Sequence, residues 1–137
     1  ERFPLWPDGT RAIELWDNRI DHYFLKVFGR PLRVTSCECE RVDQPSIAQV
    51  LHLMNGPEIQ AKIVHHEGRV HRLLGTGQPA DRIAEELYLA TYARLPKPEE
   101  RRVAVRHLNS APGAARQRAA EDLLWALMNS TEFLFNH

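Results

Sequence analysis

Cys37 and Cys39 are the only cysteines in the chain, one residue apart in Thr35-Ser36-Cys37-Glu38-Cys39-Glu40-Arg41. Two thiols at that spacing admit three chemistries: ligation of a metal, a small-ring disulfide, or a redox dithiol. A structural zinc site takes four ligands. No Cys-x-x-Cys partner exists to complete one, so histidines from elsewhere would have to supply the rest. A fourth reading needs no chemistry: successive side chains of an extended segment point to opposite faces, and the two thiols are then separate. Glu38, Glu40 and Arg41 surround the pair with charge and are candidates for an interaction surface.

His65-His66-Glu67-Gly68-Arg69-Val70-His71 invites comparison with a helical zinc-binding motif. That motif needs histidines at i and i+4, with a glutamate after the first. Here the spacing from His66 is i+5, roughly 140° further round a helix, with Gly68 between. The segment therefore reads as a helix end whose histidines face water or the last carbonyls. Asp17, Asp21 and His22 read as the charged flank of a short amphipathic helix. No Gly-x-Ser-x-Gly and no phosphate-cradling glycine loop occurs. Arg101, Arg102, Arg106, Arg116 and Arg118 are the densest basic positions, but Glu99, Glu100, Glu121 and Asp122 stand beside them. Pairs within a helix, such as Arg118 with Asp122 at i, i+4, account for them more simply than nucleic acid does.

Composition agrees. The 137 residues are enough for one domain, and 43% hydrophobic with 26% charged residues are values of a protein with a real core. Lys plus Arg and Asp plus Glu both total 18, so the net charge is zero and a dedicated DNA-binding surface is disfavoured. The longest wholly apolar run, Leu123 to Met128, is far short of the roughly 20 residues that span a membrane.

The elements that would carry these residues are helical. Ile20, Tyr23, Phe24, Val27 and Phe28 share one face of a short helix that Gly29 ends. Ile47, Val50, Leu51 and Met54 make a second stripe, closed by Asn55-Gly56. Pro57 restarts a helix through Ile59 and Ile63, toward His66. Val70, Leu73 and Leu74 form another, ended at Gly75-Thr76-Gly77. Pro79 opens a helix whose face runs through Ile83, Leu87, Ala90 and Leu95, with Tyr88 and Tyr92 beside it as packing residues. Pro96-Lys97-Pro98 makes a corner into a helix with Val103, Val105 and Leu108. The last long helix runs from about Ala114 to Asn129, with Ala120, Leu123, Leu124, Leu127 and Met128 as its stripe. This helix is expected at the centre of the core, with Leu124 and Trp125 largely buried. Ser130-Thr131-Glu132 reads as a cap before a final apolar turn. The reading is one mainly α-helical domain over residues 1–137, with about six or seven helices. Residues 1–42 form an irregular, partly extended arm with one short helix, and residues 43–137 form a helical bundle.

Five strings in order resemble a known family. They are Asp21-His22-Tyr23-Phe24-Leu25 with Phe28-Gly29-Arg30-Pro31; Cys37-Glu38-Cys39-Glu40-Arg41; Ser46 through Gly56; Glu86-Leu87-Tyr88-Leu89-Ala90-Thr91; and Asp122 through His137. Together they resemble the C-terminal region of the planctomycete domain-of-unknown-function 1553 family. The resemblance implies the C-terminal piece of a larger exported, periplasmic or extracellular protein that often carries a cytochrome c domain. No Cys-x-x-Cys-His lies in this chain, so haem would belong elsewhere in the parent, and the resemblance transfers no catalytic residue and no cofactor. A second set of strings resembles accessory helical modules of exported bacterial proteins. These are Leu87-Tyr88, Arg94-Leu95-Pro96, Glu99-Glu100 and Ser130-Thr131-Glu132-Phe133.

The functional expectation is a non-catalytic helical module supporting other domains of the parent chain or an extracellular partner, without nucleic acid and without a membrane span. The alternative is part of a redox or polysaccharide-directed enzyme, with Cys37 and Cys39 contributed to a shared site. In an exported protein the two thiols meet an oxidising compartment. Cα atoms two residues apart in extended chain lie about 6.5–7 Å apart, near the limit for a disulfide. We expect at least one of the two to be bridged or to face a cleft or domain boundary. Thiol counting on native and denatured protein checks this; two free thiols that react only after denaturation would return the pair to a packing role.

Overall fold

A computed structural model describes residues 23–28 and 47–135, together with Thr10 and Glu14. Every regular element among these residues is helical, and none is a strand. The eight segments are α1 (Tyr23–Val27), α2 (Ile47–Asn55), α3 (Pro57–Ile63), α4 (Arg69–Gly75), α5 (Ala80–Tyr92), α6 (Pro98–Ser110), α7 (Ala115–Met128) and α8 (Thr131–Leu134). The protein is mainly α, as its periodicity predicts. Cys37, Cys39, Glu38, Glu40, Arg41, Asp17, Asp21 and His22 lie outside the described residues, as does most of the 1–42 arm. The chain divides into two compact units, residues 1–52 and 53–137.

In the first unit Leu25 of α1 is buried. The ring of His52 meets the rings of Tyr23 at 5.3 Å and Phe28 at 6.3 Å. Gln49 Nε2 donates to the Val27 carbonyl at 3.0 Å, closing the end of α1. The stripe expected on α2 is corrected at Leu51, which is more than half exposed, while His52, one position on, is buried. Aromatic partners from α1 accept an imidazole body as readily as an aliphatic side chain.

The second unit is built on α5. Ala80, Ile83, Ala84, Leu87, Tyr88 and Thr91 are all buried and repeat at i, i+3, i+4, i+7, i+8 and i+11, one helical face. Thr91 satisfies its buried hydroxyl by donating to the Leu87 carbonyl at 2.9 Å. Ala90 and Leu95, expected on that face, are exposed. Ala90 lies about 100° off the Thr91 side, and Leu95 follows the end of the helix.

Around α5 the core gathers Val70 of α4, Ala104 and Leu108 of α6, and Ala119, Ala120 and Leu127 of α7. Five of the buried core residues, Ala80, Ala84, Ala104, Ala119 and Ala120, are alanines, which let the helix axes approach closely. On α6 the buried stripe is Ala104 and Leu108, and Val103 is 64% exposed. The two valines flank Ala104 at about 100° on either side, so no rotation buries both. The alanine takes the contact, and Val105 is left half-buried.

The last long helix packs against α3, α4, α5, α6 and α8, which makes it a hub of the unit. Its expected anchors are partly corrected. Leu127 is buried, Leu124 packs against the core only in part, and Trp125 is 37% exposed. Trp125 lies two residues from Leu127, about 200° round the helix, so burying one turns the other outward.

Glycine is favoured at two places for different reasons. A Cβ on Gly68 would stand 2.7 Å from the His65 carbonyl oxygen, so the α3–α4 turn closes only with glycine. Gly113, before α7, has φ +63°. Leu108, like Leu87, is fully buried, so Leu108→Ala should cost about 2–5 kcal/mol. Val103→Ala should change stability by no more than about 0.5 kcal/mol. Urea unfolding of the two variants checks the assignment of the α6 faces.

Candidate functional site

The corner between α5 and α6 concentrates the charged and aromatic side chains of the second unit. Helix α5 ends at Ala93, whose φ of +55° is left-handed and whose N–H still bonds the Leu89 carbonyl at 3.1 Å. That reversal throws the next residue, Arg94, back across the helix end. Pro96 and Pro98 then fix the approach to α6, with Pro98 in its first turn, where a missing N–H costs nothing. The carboxylate of Glu100 accepts from the Lys97 N–H at 2.7 Å. This is half of a capping box; a lysine at the cap has no acceptor with which to complete the other half.

Arg94 fills the corner. Its Nη1 and Nη2 donate to the two oxygens of Glu100 at 2.8 and 2.9 Å. Its Nε and Nη2 donate to the two oxygens of Glu132, on α8, at 2.6 and 2.7 Å. Nη1 also donates to the Leu95 carbonyl at 3.1 Å. A guanidinium has five N–H donors, and all five are used. The cation lies over two rings as well, 5.7 Å from the centroid of Tyr88 and 5.1 Å from that of Tyr92. The rings meet each other edge to face at 5.4 Å.

The same corner holds the end of α7. Ser130 caps α8 by accepting from the Phe133 N–H at 3.1 Å, as its place in the sequence predicts. Its hydroxyl donates to the Leu127 carbonyl at 2.9 Å. Tyr92 donates to Ser130 Oγ at 2.7 Å, with the Leu127 carbonyl at 3.2 Å as its alternative acceptor. One tyrosine therefore reads both the last turn of α7 and the first residue before α8.

Electrostatics follow the geometry. The hydrogen bonds from Arg94 hold Glu100 down from 4.5 to about 2, with the Lys97 N–H adding to the effect. The same donor lowers Glu132. The hydrogen bonds to both carboxylates push Arg94 further above its already high ordinary value. Burial pushes the Tyr88 phenol above its ordinary range, and the nearby Glu100 charge adds to it. Glu100, Glu132, Arg94 and Tyr88 are each shifted away from neutral pH.

Elsewhere charges pair both between helices and within one. Arg101 on α6 reaches Asp81 at 3.0 Å and Glu85 at 3.2 Å on α5, and Arg82 also meets Glu85 at 2.9 Å. The pair expected between Arg118 and Asp122 is not formed; the i, i+4 contact on α7 is Gln117 to Glu121 at 2.8 Å. A cleft of about 260 Å³ between the α4–α5 turn and the start of α7 is bridged by Arg116, which donates to the Gln78 carbonyl at 3.3 Å.

Of the residues singled out for chemistry, His65, His66 and His71 are exposed. The rings of His65 and His66 stack at 4.5 Å, and His65 Nδ1 accepts from the Glu67 N–H at 3.2 Å. Among the described residues no three of His, Cys, Asp and Glu are grouped to hold a metal. No described helix is long and apolar enough to cross a membrane. The Arg94 corner is the set that reasoning from single motifs missed, because its partners Glu100 and Glu132 lie six and 38 residues away. Its signal was the joint presence of Tyr88, Arg94, Glu100 and Ser130-Thr131-Glu132. Compared with protein-family models, curated proteins and solved structures, the chain matches none.

Because folding lowers the affinity of Glu100 and Glu132 for protons, their contribution to stability is complete above the ordinary carboxylate range. It is lost as pH falls from 4.5 toward about 2. Chemical denaturation across that interval should show the wild type losing stability steeply. A Glu100→Gln/Glu132→Gln variant should start less stable and lose less over the same interval. Parallel curves would mean that the corner does not control the acid limb.

Proposed function

We propose that the chain is a non-catalytic helical module from the C-terminal end of a larger exported protein, where it supports other domains or an extracellular partner. The observation that carries this reading is the closed state of the Arg94 corner. Arg94 has every donor engaged, and Glu100 and Glu132 are each held by two hydrogen bonds from it. A catalytic centre keeps donors or acceptors in reserve for the reacting group; this cluster spends its own on joining α5, α6 and α8.

The strings that resemble accessory helical modules support the same reading. Leu87-Tyr88, Arg94-Leu95-Pro96, Glu99-Glu100 and Ser130-Thr131-Glu132-Phe133 are the strings that supply the corner. The exported setting rests on the longer resemblance.

Cross-linking on the full-length protein that contains this chain tests the proposal. The chain has three lysines, Lys26, Lys62 and Lys97, and the last two are exposed. Cross-links from Lys62 or Lys97 to other domains, or to a bound extracellular protein, are expected. Links confined to the chain itself, or substrate turnover by the isolated chain, would overturn it.

A further inference from the structure

The outer face of α6 is built differently from the braced corner. Pro98, Arg101, Arg102, Val105 and Arg106 recur at i, i+3, i+4, i+7 and i+8, so they share one face. Together with Asp81 they line a shallow cleft of about 360 Å³. Three guanidinium groups thus stand against one carboxylate. Asp81 is already taken by Arg101, which also holds Glu85. Arg102 approaches Glu99 only at 4.0 Å, with the two side chains 66% and 78% exposed. Arg106 is exposed, and no described carboxylate lies within ion-pair distance of it.

Two cations one turn apart repel each other on an isolated helix. Here Arg102 has only the loose, exposed contact with Glu99 and Arg106 has no described carboxylate in reach, while Pro98 and half-buried Val105 supply apolar surface on the same face. We propose that this face of α6 docks a short acidic segment of a protein partner. The segment would set an apolar side chain on Val105 and Pro98 and carboxylates on Arg102 and Arg106. Arginine suits that task because its planar fork takes a carboxylate through two hydrogen bonds. Nucleic acid fits less well: Asp81 lines the same cleft, Glu99 stands 4.0 Å from Arg102, and binding to a phosphate backbone draws on a more extended positive field. The inference rests on the reading of the chain as a docking module and names its partner's chemistry.

The test is an amide chemical-shift titration of the whole chain with a capped hexapeptide alternating leucine and glutamate. Its controls are the leucine–lysine counterpart and inorganic phosphate. We expect saturable shifts centred on Arg102, Val105 and Arg106 with the acidic peptide only, weakened as salt rises from about 0.1 M to about 1 M. Arg102→Glu/Arg106→Glu should reduce affinity by about tenfold or more with an unchanged melting temperature, and Arg118→Glu should leave it unaltered. No saturable shift, equal response to phosphate alone, concentration-dependent shifts from self-association without peptide, or equal loss in Arg118→Glu would each overturn the proposal. If the peptide fails while cross-links to other domains persist in the full-length protein, only this surface is wrong. If both fail, the module reading falls with it.

Discussion

A left-handed residue at the end of α5 places one guanidinium where three helix ends converge, and the second unit depends on how that cation is neutralised. Arg94 cannot be satisfied by α5 itself. It draws Glu100 from the first turn of α6 and Glu132 from α8, and each carboxylate is also at a helix N-terminus, where negative charge is favoured. The charges therefore serve twice. They pair with the cation and they complement the helix ends. Tyr88 and Tyr92 seal the other side of the guanidinium, and Tyr92 extends the brace to Ser130 and the end of α7. A small helical unit gains order from such a network because five of the eleven buried residues of its core are alanines, which allow close approach but bury little surface each.

Helices in this chain were legible where proline and glycine punctuate it. Pro57, Pro79 and Pro98 each stand within a residue of a helix start, and the Ser130 cap forms as its sequence predicts. Faces were less legible than boundaries. Large apolar side chains suggested Val103, Leu95 and Trp125 as inward, yet the packing turns on Ala104 and Ala119, beside Ala120, which the expected stripe did include. Hydrophobic size misleads where close helix approach is the controlling requirement, since a small residue then outranks a large one at the contact. His52 escaped notice for a related reason: its place in the core is made by Tyr23 and Phe28, which are distant in sequence.

The charged corner was visible only as a set of familiar strings. No local rule pairs Arg94 with Glu132, because i, i+4 reasoning reaches one turn and this contact spans 38 residues. The same rule suggested a pair between Arg118 and Asp122 that the fold does not use. Thus the chain spends its best-formed ion pairs between helices and leaves Arg102 and Arg106 on the outer face of α6. The proposed docking role rests on this contrast between a braced corner and a charged outer face.

Native-state hydrogen exchange on Arg94→Gln addresses the brace most directly. Glutamine keeps the polarity and most of the length but cannot hold two carboxylates. The account predicts lost protection at the Lys97, Phe133 and Leu134 amides, with protection in α4 and around Leu108 retained. Uniform loss across the unit, or no change at the amides of α8, would contradict the claim that Arg94 is what joins these helix ends.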